Sequence, residues 1–153
     1  MSLRHTVTDV GFKVLGATHR TVMRLPIGKL KFLQTGFGMP FVELHTLGRK
    51  SGQPRVTILT TPLHDEQRVV LVASKGGDDR DPQWYRNLTV NPDVEIHIEG
   101  EVRRLRARTA TPQEKEELWP QILRVYRGYG SYQQRSGRDI PVVICEPVSA
   151  PAG

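Results

Sequence analysis

The chain has 153 residues, 37% hydrophobic and 25% charged, which suits a single globular domain and excludes a wholly disordered chain. Its longest apolar run, residues 69–73, is far short of the ~20 residues that a membrane-crossing helix needs. No signal-peptide pattern is visible, and the single cysteine, Cys145, cannot form an internal disulfide, so a cytoplasmic location is expected. The net charge of +6 favours an anionic partner: nucleic acid, an acidic lipid surface or a phosphorylated small ligand.

Residues 1–40 read as a basic N-terminal extension. Val10, Val14, Leu15, Thr18, Val22 and Leu25 recur at helical spacing, and Lys13, Arg20, Arg24, Lys29 and Lys31 fall there with no acidic residue between Asp9 and Glu43. Pro26 and the Gly36-Phe37-Gly38 stretch end the pattern. A main domain is expected over 41–148, with a short tail over 149–153.

Strand signals dominate the middle of the chain: residues 41–47, 56–63 and 68–73, then the plain alternation of Val94, Ile96 and Ile98 with Glu95, His97 and Glu99. Gly100 turns the chain into a strand over 101–109. A last strand over 140–145 begins with Pro141, which suggests a sheet edge. Two helices interrupt the strands. One is expected to start with Asp81 as N-cap and Pro82 at its first position, and to stop at Asn91-Pro92. The other opens on the capping box Thr111-Pro112-Gln113-Glu114 and carries Leu118, Ile122 and Leu123 at core spacing, with Pro120 expected to strain it. Antiparallel strands with helices to one side read as α+β, and the missing strand–helix alternation excludes a Rossmann fold.

Three segments can carry chemistry. Gly48 to Arg55 is a glycine-bounded turn in which Arg49, Lys50 and Arg55 accompany the Ser51 hydroxyl, a composition suited to a phosphate or carboxylate, or equally to a plain basic hairpin. Ser74-Lys75-Gly76-Gly77, directly after a buried strand, is a second anion site or a simple turn. Tyr126, Tyr129 and Tyr132 share one face if their backbone is helical, and then wall a pocket for a flat ligand or pack as core aromatics. The dispersed basic residues fit local anion sites better than a nucleic-acid arm, so a nucleic-acid-binding module is a remote alternative. His5, His19, His45, His64 and His97 lie far apart in sequence, no metal site is expected, and His97 is expected to be solvated. Cys145 reads as inert core. No nucleophile stands out, which favours chemistry borrowed from a cofactor.

The segments LHTLGRKSGQPR at 44–55, VLVASKGG at 70–77, PQWYRNLTVNP at 82–92 and IPVVICEP at 140–147, in this order and spacing, resemble the deazaflavin-dependent nitroreductase family, which uses coenzyme F420, an 8-hydroxy-5-deazaflavin. The resemblance implies a split β-barrel: an antiparallel six-stranded barrel with flanking helices, related to FMN-binding split-barrel proteins. It implies hydride transfer from the reduced deazaflavin to a quinone or nitroaromatic acceptor. By that likeness Arg49, Lys50, Ser51, Arg55 and Thr57 hold the cofactor's phosphate and acidic tail. Ala73, Ser74, Lys75, Gly76, Trp84, Tyr85 and Asn87 line its ring and ribityl chain. Tyr129 is the principal catalytic contact, supported by Tyr126, Tyr132 and Ser74. Thr60 stands where nitro-reducing relatives carry an aromatic residue, and Ile58 where a proline is common, so the resemblance points to quinones rather than bulky nitroimidazoles. An FMN-binding oxidoreductase or a cofactor carrier on the same barrel is the alternative. Long-tailed quinones live in membranes, so the cationic N-terminal helix is expected to rest on an anionic leaflet, or else to cover one end of the barrel.

Overall fold

The computed structural model describes residues 35–148 and shows a mixed α/β fold: one antiparallel eight-stranded sheet with three helices. The strands are β1 (Thr35–Gly36), β2 (Met39–Leu47), β3 (Pro54–Thr60), β4 (Leu63–His64), β5 (Val69–Val72), β6 (Asp93–Ile98), β7 (Glu101–Thr109) and β8 (Val142–Glu146). The helices are α1 (Gln83–Val90), α2 (Pro112–Val125) and α3 (Gly128–Arg135). The strand order is β1-β2-β6-β7-β8-β5-β4, with β3 on the other edge of β2. The helix expected over Val10 to Leu25 lies outside the described residues. None of the described helices is long and apolar enough to cross a membrane.

The hydrogen-bonded ladder is open and does not close into the six-stranded barrel that the resemblance implies. β3 pairs with β2 and β4 with β5, while β3 and β4 are joined only by the chain. The single strand expected over 56–63 is broken at Thr61-Pro62 for a physical reason. Pro62 has no N–H to give to a ladder. Thr61 sends its N–H to the carbonyl of Pro40, and its hydroxyl lies 2.7 Å from the carbonyl of Val70.

Two cores sit on opposite faces of β5 and β8. Val69, Leu71, Val143 and Cys145 point inward with Val42, Leu44, Val94, Ile96 and Ile98, under Trp84 and Leu88 of α1. Val70, Val72, Val142 and Ile144 point outward, under Leu118 and Ile122 of α2 and Tyr129 of α3. Burial on both faces explains why these strands read as unbroken apolar runs. It also corrects the edge expected at Pro141: β8 is central, paired with both β5 and β7.

The capping box forms as expected. Thr111 Oγ1 accepts from the Glu114 N–H, and the Glu114 carboxylate accepts from the Thr111 N–H. α2 runs through Pro120 as one helix. α1 starts a residue later than expected, with Pro82 as N-cap, while the Asp81 carboxylate pairs with Arg138 at 3.0 Å.

The polar face of β6 is not solvated. Glu95 and His97 are 3% and 4% exposed, and His97 stacks on His45 of β2 with ring centroids 4.2 Å apart. Two histidines remote in sequence therefore meet, because antiparallel pairing sets His45 opposite Glu95 and Glu43 opposite His97. The outward arginines of β7 are paired: Arg108 with Glu114 and Glu146, Arg106 with Asp93, and Arg103 with Glu101. That balance agrees with a solvated surface rather than a nucleic-acid stripe.

Candidate functional site

β2 and β3 are joined by the turn over residues 48–53, whose backbone closes on itself. The Gly48 N–H reaches the Gln53 carbonyl and the Gly52 N–H the Gly48 carbonyl, both at 2.8 Å. Gly52 has a φ of +70°, a left-handed conformation that glycine adopts without steric cost. The turn is fastened to α1 through Asn87, whose buried Oδ1 accepts from the Arg49 N–H and guanidinium. Between turn, β3 and helix lies a cleft of about 480 Å³. Its lining includes Arg49, Lys50, Ser51 and Arg55, with Thr57 and Trp84 further along, and contains no carboxylate.

A second cleft of about 380 Å³ shares Trp84 with the first. Its lining includes Ser74, Lys75 and Gly76 together with Tyr126, Tyr129 and Tyr132. Lys75, Gly76 and Gly77 have φ values of 46°, 63° and 87°, a tight left-handed turn. Gly77 is required twice over, because a Cβ there would come within 3.2 Å of the Tyr132 backbone.

The tyrosines converge without sharing one continuous helix. Tyr126 caps the end of α2, and Tyr129 and Tyr132 lie on α3. Gly128 makes this packing possible: a Cβ on it would lie 2.3 Å from the Tyr126 ring. The Tyr126 and Tyr129 rings meet edge to face at 5.1 Å, and the Tyr126 and Tyr132 hydroxyls are 3.1 Å apart. The Tyr129 hydroxyl lies 3.5 Å from Thr60 Oγ1. Burial raises the Tyr129 pKa, and the hydrogen bond with Tyr132 raises that of Tyr126. Both phenols therefore stay protonated at neutral pH and can donate.

Two expected residues stand elsewhere. Ala73 is buried in the inner core, and the Tyr85 hydroxyl bonds Thr109 Oγ1 at 2.8 Å; neither is in the lining of these two clefts. Conversely, Gln83 and Val56 line the first cleft, and Phe37 and Met39 the second, with Phe37 stacked on Tyr126. Arg138 was missed altogether. Its guanidinium donates to the carbonyls of Ala73, Ser74 and Asp78 and pairs with Asp81, holding the 73–78 segment in place. An arginine ahead of a strand gives no sequence signal that it will reach back to a loop so far upstream.

A cationic cleft whose lining holds no carboxylate and a tyrosine-lined pocket thus share Trp84 in a protein of mixed α/β class. The model of the F420H(2)-dependent quinone reductase family matches residues 20–147, and the chain belongs to that family. A Mycobacterium tuberculosis protein named F420H(2)-dependent quinone reductase is 43% identical over 109 residues, covering 69% of this chain and 72% of its own. A solved structure described as an F420-H2 dependent reductase superposes with a TM-score of 0.64 at 36% identity, covering 70% of this chain and 94% of that one. A Clostridium acetobutylicum protein of the pyridoxinephosphate oxidase family, 14% identical with a TM-score of 0.51 over 79% of this chain and 82% of its own, shares the fold alone.

Proposed function

We propose that this protein is an F420H2-dependent quinone reductase. The observation that carries the reading is the junction at Trp84 of a cleft bearing Arg49, Lys50 and Arg55 with a pocket walled by Tyr126, Tyr129 and Tyr132. The residues fit the cofactor. Three cations without a carboxylate suit its phosphate and glutamyl tail, and the Ser74–Gly76 turn and Trp84 suit its ring end.

When bound, the reduced deazaflavin supplies the hydride. The chain's own part is to hold, orient and protonate. Arg49, Lys50, Ser51 and Arg55 bind the anionic tail and set how deep the ring enters. Ser74, Lys75 and Gly76 hold the ring edge, with Arg138 bracing their backbone from behind. The tyrosines present the acceptor's flat face to the ring and exclude water, which keeps the reacting atoms within the ~3–3.5 Å that transfer requires. Reduction of a quinone to a quinol needs one proton besides the hydride, and Tyr129 donates to the oxygen on which charge develops. Solvent restores the phenol proton.

Nitroaromatics enter the same pocket as poorer acceptors. Thr60 and Ile58 support this ranking, since they withhold the aromatic and proline contacts of nitro-reducing relatives. The cationic segment between Asp9 and Glu43 brings the chain to anionic membranes, where long-tailed quinones reside.

Mixing the protein anaerobically with reduced deazaflavin and menadione tests the reading. Return of the oxidised deazaflavin's absorbance, dependent on protein, is expected. No turnover, with tighter binding of FMN than of deazaflavin in parallel titrations, overturns it. For the membrane contact, the full chain should sediment with anionic liposomes and a chain starting at Phe41 should not.

A further inference from the structure

The proposed reaction leaves unused a second cluster of chemistry-bearing side chains, on the face of β2 and β6 that looks away from the inner core. Both strands carry Glu-x-His: Glu43 and His45 on one, Glu95 and His97 on the other. Their antiparallel register sets each acid opposite the other strand's imidazole, so acids and imidazoles alternate around a square. The intervening Leu44 and Ile96 point into the inner core, which places the square on the reverse side. His45 is nevertheless 0% exposed. His45 Nε2 lies 2.9 Å from Glu43 Oε1, and His97 Nε2 lies 2.6 Å from Glu95 Oε1.

A neutral imidazole has one N–H and one lone pair. With the proton on Nδ1, the Nε2 lone pair of His45 faces a Glu43 oxygen at 2.9 Å, and the two repel unless a cation lies between them. A metal ion there satisfies both donors at once. One donor atom each from Glu43, His45 and His97 lie within 4.8 Å of one another. A tetrahedral zinc with bonds of ~2.0–2.1 Å needs donors ~3.4 Å apart, so an inward movement of about 1 Å, with rotation of the stacked rings, closes the set. Imidazoles held by carboxylates are the usual surroundings of a metal-bound histidine, and Glu95 supplies that support to His97. Two imidazoles and one carboxylate suit a borderline ion of the zinc kind better than magnesium or calcium, which prefer all-oxygen cages.

We propose that Glu43, His45 and His97 form a binding site for a divalent transition-metal ion of the zinc class, with a water completing the coordination. The ion clips β2 to β6 three residues ahead of Gly48, where β2 runs out into the cationic turn. Its role is structural, and the proposal is independent of the proposed reduction.

The test uses the full, untagged chain, stripped with chelator and dialysed, then given Zn2+ or Co2+. About one zinc per chain is expected to survive gel filtration, and Co2+ to give the intense visible absorption of a four-coordinate site. His97→Gln should weaken zinc binding by roughly tenfold or more, while His64→Gln on β4, outside the cluster, leaves it unchanged. No retained zinc, the weak absorption of six-coordinate cobalt, or equal binding by His97→Gln overturns the proposal. If His97→Gln fails to fold by circular dichroism, the cobalt spectrum of the unsubstituted chain decides alone.

Discussion

Arg49 gives both its main-chain N–H and its Nη1–H to a single oxygen, Oδ1 of Asn87, at 3.2 and 3.1 Å. A turn that sequence reading would leave free in solvent is thereby pinned to a helix 38 residues further along the chain. One of the cleft's cations is held in place before any ligand arrives, which lowers the ordering cost of binding. Asn87→Ala should therefore weaken deazaflavin binding by about tenfold, the equivalent of ~1.4 kcal/mol for a lost bond to a charged group. Titration of cofactor fluorescence against protein measures it; an unchanged affinity would show that the fastening does not matter to the ligand.

Arg138 acts on the other cleft. Its planar fork satisfies three carbonyls of the 73–78 segment and pairs with Asp81. Arg138→Met should cost about 2–3 kcal/mol in chemical denaturation, because partly buried carbonyls lose their donors. Arg138→Lys should recover only part of that loss, since an ammonium cannot reproduce the fork. Full recovery by lysine would mean that charge alone matters at this position.

Tyr129→Phe removes a hydroxyl that lies 3.5 Å from Thr60 Oγ1 and leaves the ring's packing in the outer core. Turnover should fall about 10- to 100-fold, within or just below the usual contribution of a positioned proton donor, while cofactor affinity changes little. Steady-state kinetics alongside binding titration separates the two. A large loss of affinity with normal turnover would assign Tyr129 to cofactor binding instead.

The Glu114 carboxyl is lowered to about 2 from an ordinary 4.5, first by its hydrogen bonds to Arg108 and then by the Thr111 N–H. A depressed folded-state value means that this contribution is complete above pH about 4.5 and drains away as pH falls towards about 2. Glu114→Gln should flatten the stability profile in that window and cost little more than ~1 kcal/mol at neutral pH, the usual scale of a helix cap. Thermal melts of both chains between pH 2 and pH 6 give the comparison. Parallel profiles would place the acid sensitivity elsewhere.

Much of the candidate site could be read in advance because its residues come in short contiguous blocks. Arg49 to Arg55 and Ser74 to Gly76 carry their glycines and cations within one turn each, so local chemistry announces them. The capping box is legible for the same reason. A block's likeness to a motif does not say which way each side chain faces. Ala73, just past the end of β5, is buried in the inner core, and the Tyr85 hydroxyl on α1 bonds Thr109 of β7. His97 is covered although its strand's alternation suggests a wet face, because alternation shows which side chains avoid the inner core and says nothing of what covers the reverse side.

The sequence by itself determined most of the longer strands, the two capped helices, the two basic turns and the family, all of which rest on patterns spanning a few residues; the helix over Gly128–Arg135 and the short strands Thr35–Gly36 and Leu63–His64 were not among them. Tertiary structure alone decided that the ladder stays open at Thr61-Pro62, that Trp84 lines both clefts, and that Arg138 and Asn87 brace the turns beside them. It also decided that His45 and His97 meet. These depend on pairings between residues far apart along the chain, whose partners are chosen by sheet register and core packing rather than by neighbours in sequence.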